Sequence, residues 1–127
     1  MSALDRAVVC TIALTIAHQI DAAYWHEWDM FGLPGGIQLY NAMNIAIFVA
    51  IIASAIPLFR RSKHGYTCSL AIAAAAALIL PIHAGFALAG YTQFHLPVSI
   101  AIIVGSFMTA LLQAWLTLRA RSEFAEA

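Results

Sequence analysis

Long apolar runs alternate with short polar segments along the chain. The four runs cover residues 7–25, 37–59, 66–90 and 97–118, and two stretches hold no Asp, Glu, Lys or Arg: the 30 residues Met30–Phe59 and the 55 residues between Lys63 and Arg119. A helix needs about 20 residues to cross a hydrocarbon core about 30 Å thick, so each run can cross once. The runs lack the two-residue alternation of barrel strands. The pattern therefore predicts an all-α integral membrane protein, a four-helix bundle.

The composition supports this prediction and excludes other classes of protein. Of the 127 residues, 63% are hydrophobic and 9% are charged, against roughly 25% charged in an ordinary soluble domain. The length predicts a single transmembrane domain over residues 1–127, and a net charge of zero gives no reason to expect a nucleic-acid partner. Cys10 and Cys68 stand alone in apolar runs, as packing residues do. The segment after Arg6 resembles a signal peptide but lacks a good cleavage site, so we expect it to remain as the first span.

The cationic residues mark one side of the membrane. All six fall in three places, before the first run, between the second and third, and after the fourth: Arg6; Arg60, Arg61 and Lys63; Arg119 and Arg121. The positive-inside rule then places both termini and the basic segment in the cytoplasm. The same reasoning places the acidic residues of the tails, Asp5, Glu123 and Glu126, on that side. Residues 26–36 and 92–96 are expected outside.

The polar residues inside the apolar runs are the informative ones, because such residues are costly in a bilayer and mark functional sites. His18, Asn44 and His83 each lie seven residues inward from the outer end of their run. At 1.5 Å per residue this is a shared depth of about 10 Å. Asp21 and Asn41 lie one turn nearer the outer surface. Further polar residues crowd the outer mouth: His26, Glu27, Asp29 and His95.

His18, Asp21 and His83 are the predicted metal-binding and catalytic residues. His18 and Asp21, at positions i and i+3 of one helix, can both ligate a metal, or the carboxylate can orient the imidazole. His83 would approach from the third span. Two histidines and a carboxylate suit zinc or non-haem iron. Without a metal, His18 and Asp21 can act as an acid–base pair; the alternative is that all three only hydrogen-bond across helix interfaces.

The remaining polar residues are secondary candidates. Asn41 and Asn44 are expected to orient groups at the site. His26, Glu27, Asp29 and His95 are expected to be solvated loop residues, and the functional alternative is a mouth that recruits a cation.

Two segments share the pattern F-x-L-P-x-x-I. They are residues 31–37 and 94–100, and each follows a run that carries a histidine. Spans one and two can thus be a duplicate of spans three and four. Both hairpins run in the same direction across the membrane, so such a repeat would be parallel. Chance similarity between apolar segments is the alternative.

The residues around the first span resemble a known group of proteins. His18-Gln19-Ile20-Asp21, then Trp25-His26-Glu27-Trp28 and Phe31-Gly32-Leu33-Pro34, are similar to small bacterial four-helix membrane proteins of the HXXEE type and neighbouring families of unknown function. The matching site positions are His18, Asp21 and His83. Asp21 stands in place of the first glutamate and Ala22 in place of the second. The resemblance implies a bacterial cytoplasmic membrane and a site, but no established activity.

Three functions remain open at this point. The first is a membrane-embedded, metal-dependent enzyme acting on a small or lipid-soluble substrate. The second is an accessory subunit of a larger membrane complex, with His18 and His83 as ligands of haem or a chlorophyll-type pigment. The third is a small transporter or channel. A structural subunit without chemistry is the further alternative, and small residues of the third span allow a homo-oligomer.

Overall fold

A computed structural model describes residues 1–125, and within this range all regular structure is helical. Four long helices account for most of it: α1 (Ala3–Tyr24), α3 (Gly36–Phe59), α4 (Gly65–Leu88) and α5 (Pro97–Arg119). Two short helices, α2 (Glu27–Met30) and α6 (Arg121–Ala125), follow α1 and α5. The four long helices are each long and apolar enough to cross a membrane. The predicted all-α, four-helix membrane fold is confirmed; Glu126 lies outside the described residues.

The helix ends follow from local sequence. The side chain of Ser2 accepts a hydrogen bond from the Asp5 amide while the Asp5 carboxylate accepts one from the Ser2 amide. This capping box satisfies two amides at the helix start and explains why α1 begins four residues before the predicted span. Pro97 occupies the first turn of α5, where its missing N–H costs nothing.

The long helices pack side by side, with α5 between α1 and α4, and with α3 against the other side of α4. The seam between α1 and α3 has little direct contact, and a cavity of about 450 Å³ lies there. Large apolar side chains such as Ile45, Val49 and Leu88 point outward, as expected for helices that face lipid. The interior is instead built largely from small and polar residues, which let membrane helices approach closely.

A polar cluster joins α4 to α5 in the half of the bundle nearest the termini. Ser69 Oγ lies 2.7 Å from Thr117 Oγ1, and Gln113 Nε2 donates to the Ser69 carbonyl oxygen at 2.9 Å. All three side chains are buried. Hydrogen bonds of this kind hold membrane helices in register.

Arg61 ties both ends of the chain to the α3–α4 connection. Its guanidinium donates to Asp5 at 2.8 Å and to Glu123 at 3.1 Å, and it lies 5.3 Å from the ring centre of Phe124. The amino terminus, the basic segment and α6 therefore meet at one end of the bundle. This agrees with the prediction that both termini and the basic segment lie on the same side of the four spans.

The two F-x-L-P-x-x-I segments adopt different local structures. Phe31 ends α2 with φ −89°, whereas Phe94 has φ +61°. Pro34 precedes α3 by two residues, whereas Pro97 begins α5. The local equivalence that a duplication predicts is therefore not found in these segments.

Candidate metal centre

Three buried side chains from three helices meet in the half of the bundle away from the termini. They are His18 on α1, Glu27 at the start of α2 and His83 on α4, with 2%, 6% and 8% of their surfaces exposed. Glu27 Oε1 lies 3.2 Å from His83 Nε2 and 3.8 Å from His18 Nε2. One ligand atom of each residue lies within 4.8 Å of the others. The structure thus brings His18 and His83 together with Glu27.

Glu27 reaches this site because the chain reverses immediately before it. α1 ends at Tyr24, and His26 takes the left-handed conformation with φ 54° and ψ 48°. This turns α2 back onto the bundle, where Trp28 and Met30 are buried. The expectation that Glu27 is a solvated loop residue was wrong. The available sequence signal was the presence of two large apolar residues, Trp28 and Met30, directly after Glu27 in an otherwise polar segment; both are buried with it.

The hydrogen bonds of His83 fix which of its ring nitrogens carries the proton. Nδ1 lies 2.8 Å from the carbonyl oxygen of Ile79, and because a carbonyl only accepts, Nδ1 donates. In the neutral ring, Nε2 then presents a lone pair. The Nε2 atom lies 3.2 Å from Glu27 Oε1, but the two atoms do not have hydrogen-bond geometry. Two electron-rich atoms at this distance in a buried site require a cation or a proton between them.

His18 lies against His83 with a different set of partners. The two ring centres are 4.8 Å apart and the planes are nearly perpendicular, at 85°. His18 Nδ1 is buried and has no hydrogen-bond partner in the part of the chain that the structure describes. A metal-binding imidazole typically donates a hydrogen bond from the ring nitrogen that does not bind the metal. His83 makes such a bond, and His18 does not.

The spacing of the three side chains suits a metal ion of ordinary size. Zinc binds histidine nitrogen at about 2.0–2.1 Å, so ligand atoms of a tetrahedral site stand roughly 3.3 Å apart. The separations from Glu27 Oε1 are 3.2 and 3.8 Å, and all three ligand atoms lie within 4.8 Å of one another. A tetrahedral site would draw the three atoms together, and the two histidine nitrogens would move most. By contrast, rings in edge contact at 4.8 Å leave no room for a porphyrin between them, so the bis-histidine haem arrangement gains no support.

Phe94 covers the two histidines from the loop between α4 and α5. Its ring centre lies 4.3 Å from that of His83 and 5.8 Å from that of His18, and the side chain is buried. Its φ of +61° is unusual for a bulky residue and is held by the surrounding packing. The ring thus covers one face of the pair of imidazoles.

Asp21 does not belong to this group of three. Its Oδ1 accepts a hydrogen bond from Ser99 Oγ at 3.1 Å, and Ser99 accepts one from Trp25 Nε1 at 3.2 Å. The carboxylate thus joins α1 to the start of α5. At the depth of the histidines, the carboxylate that meets them is Glu27 instead.

The other sequence candidates lie around the site without joining it. Asn44 is buried and Asn41 is exposed, and both line the cavity between α1 and α3. His26 and His95 are exposed, as expected. His26 stacks on Trp28 with ring centres 4.8 Å apart.

A small cavity of about 120 Å³ touches Glu27, and Phe94 does not line it. Gln19, Tyr40 and Asn44 contribute to its lining, and Tyr40 donates to Gln19 Oε1 at 2.6 Å. The space is large enough for water. Most of its lining is apolar, with Trp28, Leu33 and Ile47 among the other lining residues.

Comparison with known proteins gives one match. A family model described as a family of unknown function (DUF6713) matches residues 4–120. No curated protein and no solved structure gives a significant match. The match agrees with the expected resemblance to families of unknown function, although it is not to the HXXEE type itself.

Proposed function

The chain belongs to the DUF6713 family of unknown function, and we propose that it is a membrane-embedded enzyme with a divalent metal at its centre. His18, Glu27 and His83 are the proposed ligands, and zinc or non-haem iron is the proposed metal. The metal would act on a small or lipid-soluble substrate.

One observation carries this proposal. Glu27 Oε1 and His83 Nε2 lie 3.2 Å apart with no hydrogen-bond geometry between them, while His83 Nδ1 is committed to the Ile79 carbonyl oxygen. A metal ion between the two atoms would bind both of them, and a shared proton is the alternative. The third donor, His18 Nε2, lies 3.8 Å from the same carboxylate oxygen.

Three protein ligands are the set found in catalytic rather than structural metal sites, because they leave a coordination position for water or substrate. Zinc would lower the pKa of a bound water toward neutrality and make it a nucleophile. Two histidines and one carboxylate also form the set that binds iron in oxygenases. The cavity beside Glu27 is large enough to hold a water molecule next to the carboxylate.

Metal analysis of the purified protein tests the proposal. We expect about one zinc or iron per chain in the wild type and its loss in His18→Ala and His83→Ala. His64→Ala is the matched control, because this histidine is exposed at the opposite end of the bundle. Absence of stoichiometric metal, or equal metal content in all four proteins, would refute the proposed centre.

We propose further that the end held by Arg61 faces the cytoplasm of a bacterial cell and that the metal centre lies in the outer half of the cytoplasmic membrane. The basic residues of the α3–α4 connection and of the carboxyl-terminal segment support this orientation. A green fluorescent protein fused to the carboxyl terminus should fluoresce, and an alkaline phosphatase fused there should be inactive. An active phosphatase fusion would reverse the orientation.

A further inference from the structure

An open apolar pocket lies beside the candidate metal centre. It encloses about 680 Å³ between α4, α5 and the loop that joins them. This volume is within the range of about 300–1,000 Å³ typical of sites for small organic molecules. Leu80, Ala84 and Ala87 of α4 face Ile100 and Val104 of α5 across it.

The pocket adjoins the metal ligands directly. His83 forms part of its wall, and so does Phe94, whose ring lies 4.3 Å from the His83 ring. A molecule in the pocket therefore lies against one proposed ligand and against the aromatic ring that covers both histidines. The small cavity beside Glu27 is lined by a different set of residues. The centre thus adjoins two separate cavities, one at His83 and one at Glu27.

The chemistry of the lining restricts what can bind. Among the described residues, those that line the pocket include no Asp, Glu, Lys or Arg. The loop contributes the polar side chains Thr92, Gln93 and His95, whereas the wall between the helices is apolar except for His83. Burying an anionic headgroup without a paired cation is costly. The lining therefore suits a molecule with an apolar chain and a neutral polar end.

We propose that this pocket is the substrate site of the enzyme and that it binds a single-chain lipid with a neutral headgroup, such as a long-chain alcohol. The polar end lies at the loop with Thr92 and Gln93, and the chain runs between α4 and α5 past His83. This assignment rests on the proposed metal-dependent function. It places the substrate's hydrocarbon chain beside the metal ligands.

Binding is measured with metal-free protein in nanodiscs, using dodecanol labelled with fluorine and observed by ¹⁹F NMR. We expect saturable binding to the wild type. Ala84→Phe and Ala87→Phe fill the pocket from exposed positions on α4 and should weaken binding at least about tenfold, equivalent to 1.4 kcal/mol. Ala74→Phe is the control, because Ala74 is exposed on the same helix and does not line the pocket.

Headgroup selectivity supplies the second measurement. Unlabelled dodecanol should displace the probe, while dodecanoate at alkaline pH should compete at least about tenfold more weakly. The lining holds no Lys or Arg, and imidazoles are uncharged at alkaline pH, so the carboxylate would be buried without a paired cation. Equal competition by both compounds would overturn the neutral headgroup. Non-saturable partitioning, or unchanged binding in both phenylalanine variants, would overturn the pocket as a lipid site.

The same proteins separate this proposal from the metal centre. Ala84→Phe should keep its metal and lose the alcohol, whereas His18→Ala should lose the metal and keep the alcohol. If purified wild type contains no stoichiometric metal but binds the alcohol, the lipid site is retained and the metalloenzyme is rejected. If it contains the metal but does not bind the alcohol, the metal centre is retained and the lipid site is rejected.

Discussion

Replacement of Glu27 by glutamine is the sharpest test of the centre. The substitution preserves the size of a side chain that is only 6% exposed, and it removes the only anion among His18, Glu27 and His83. The amide can donate a hydrogen bond to His83 Nε2, which now faces the carboxylate at 3.2 Å without one. The metal-free variant should therefore be folded and at least as stable as the wild type.

The expected loss of metal affinity follows from the role of the carboxylate. Changes to groups that only support a metal ligand cost about 10–100-fold in affinity, so loss of the ligand charge should cost at least about 100-fold, or about 2.7 kcal/mol. Metal affinity is measured by competition with a chelator of known affinity. Thermal unfolding of the same metal-free samples shows whether the variant is folded.

Two other carboxylates provide the controls. Asp29 lies on α2 with Glu27, but its side chain is 69% exposed. Asp21 accepts a hydrogen bond from Ser99, which an asparagine oxygen can also accept. Asp29→Asn and Asp21→Asn should keep the wild-type affinity within about twofold. If Glu27→Gln binds metal normally and Asp21→Asn does not, the carboxylate has been assigned to the wrong residue.

Three further outcomes are expected. Arg61→Ala should lower the free energy of unfolding by about 1–2 kcal/mol through loss of its ion pairs. Arg60→Ala is the control, because Arg60 is exposed; equal thermal midpoints for the two variants would contradict this expectation. Gly65→Ala should lower the free energy of unfolding by about 1–3 kcal/mol, because its Cβ would stand 2.8 Å from Leu58 Cα. Gly85→Ala should raise it, because the added Cβ meets no atom within 4 Å and alanine favours a helix. The opposite order would contradict the close approach of α4 to α3 at Gly65. Acidification should release the metal, because protonated imidazoles and carboxylic acids do not coordinate it; full retention after dialysis at mildly acidic pH would contradict imidazole ligation.

The membrane-spanning helices could be read from the sequence because they depend on local properties. Run length, the scarcity of charge and the absence of strand-like alternation are enough to predict a crossing helix. The observed bounds of the four long helices differ from the predicted ones by at most four residues. The starts of α1 and α5 also have local causes, a capping box and Pro97.

The histidine pair was predictable for a related reason. Helical rise converts sequence position into depth, and His18 and His83 lie equally far from the outer ends of their spans. Residues at one depth on neighbouring helices can meet when both face the interior. Depth alone does not give the angle about each helix, so the 4.8 Å contact of the two rings required the packed bundle.

The carboxylate at the centre was decided by tertiary structure. Asp21 has helical spacing to His18, yet it bonds to Ser99 on α5, a partner 78 residues away in the sequence. Glu27 lies in a segment that is polar enough to read as a loop, and it enters the site because the left-handed turn at His26 directs Trp28 and Met30 into the bundle. Hydrophobic patterning thus determined the helices and the depth of the histidines. Only the packing of α2 against the bundle determined which acidic residue faces them, because that choice depends on contacts between distant segments.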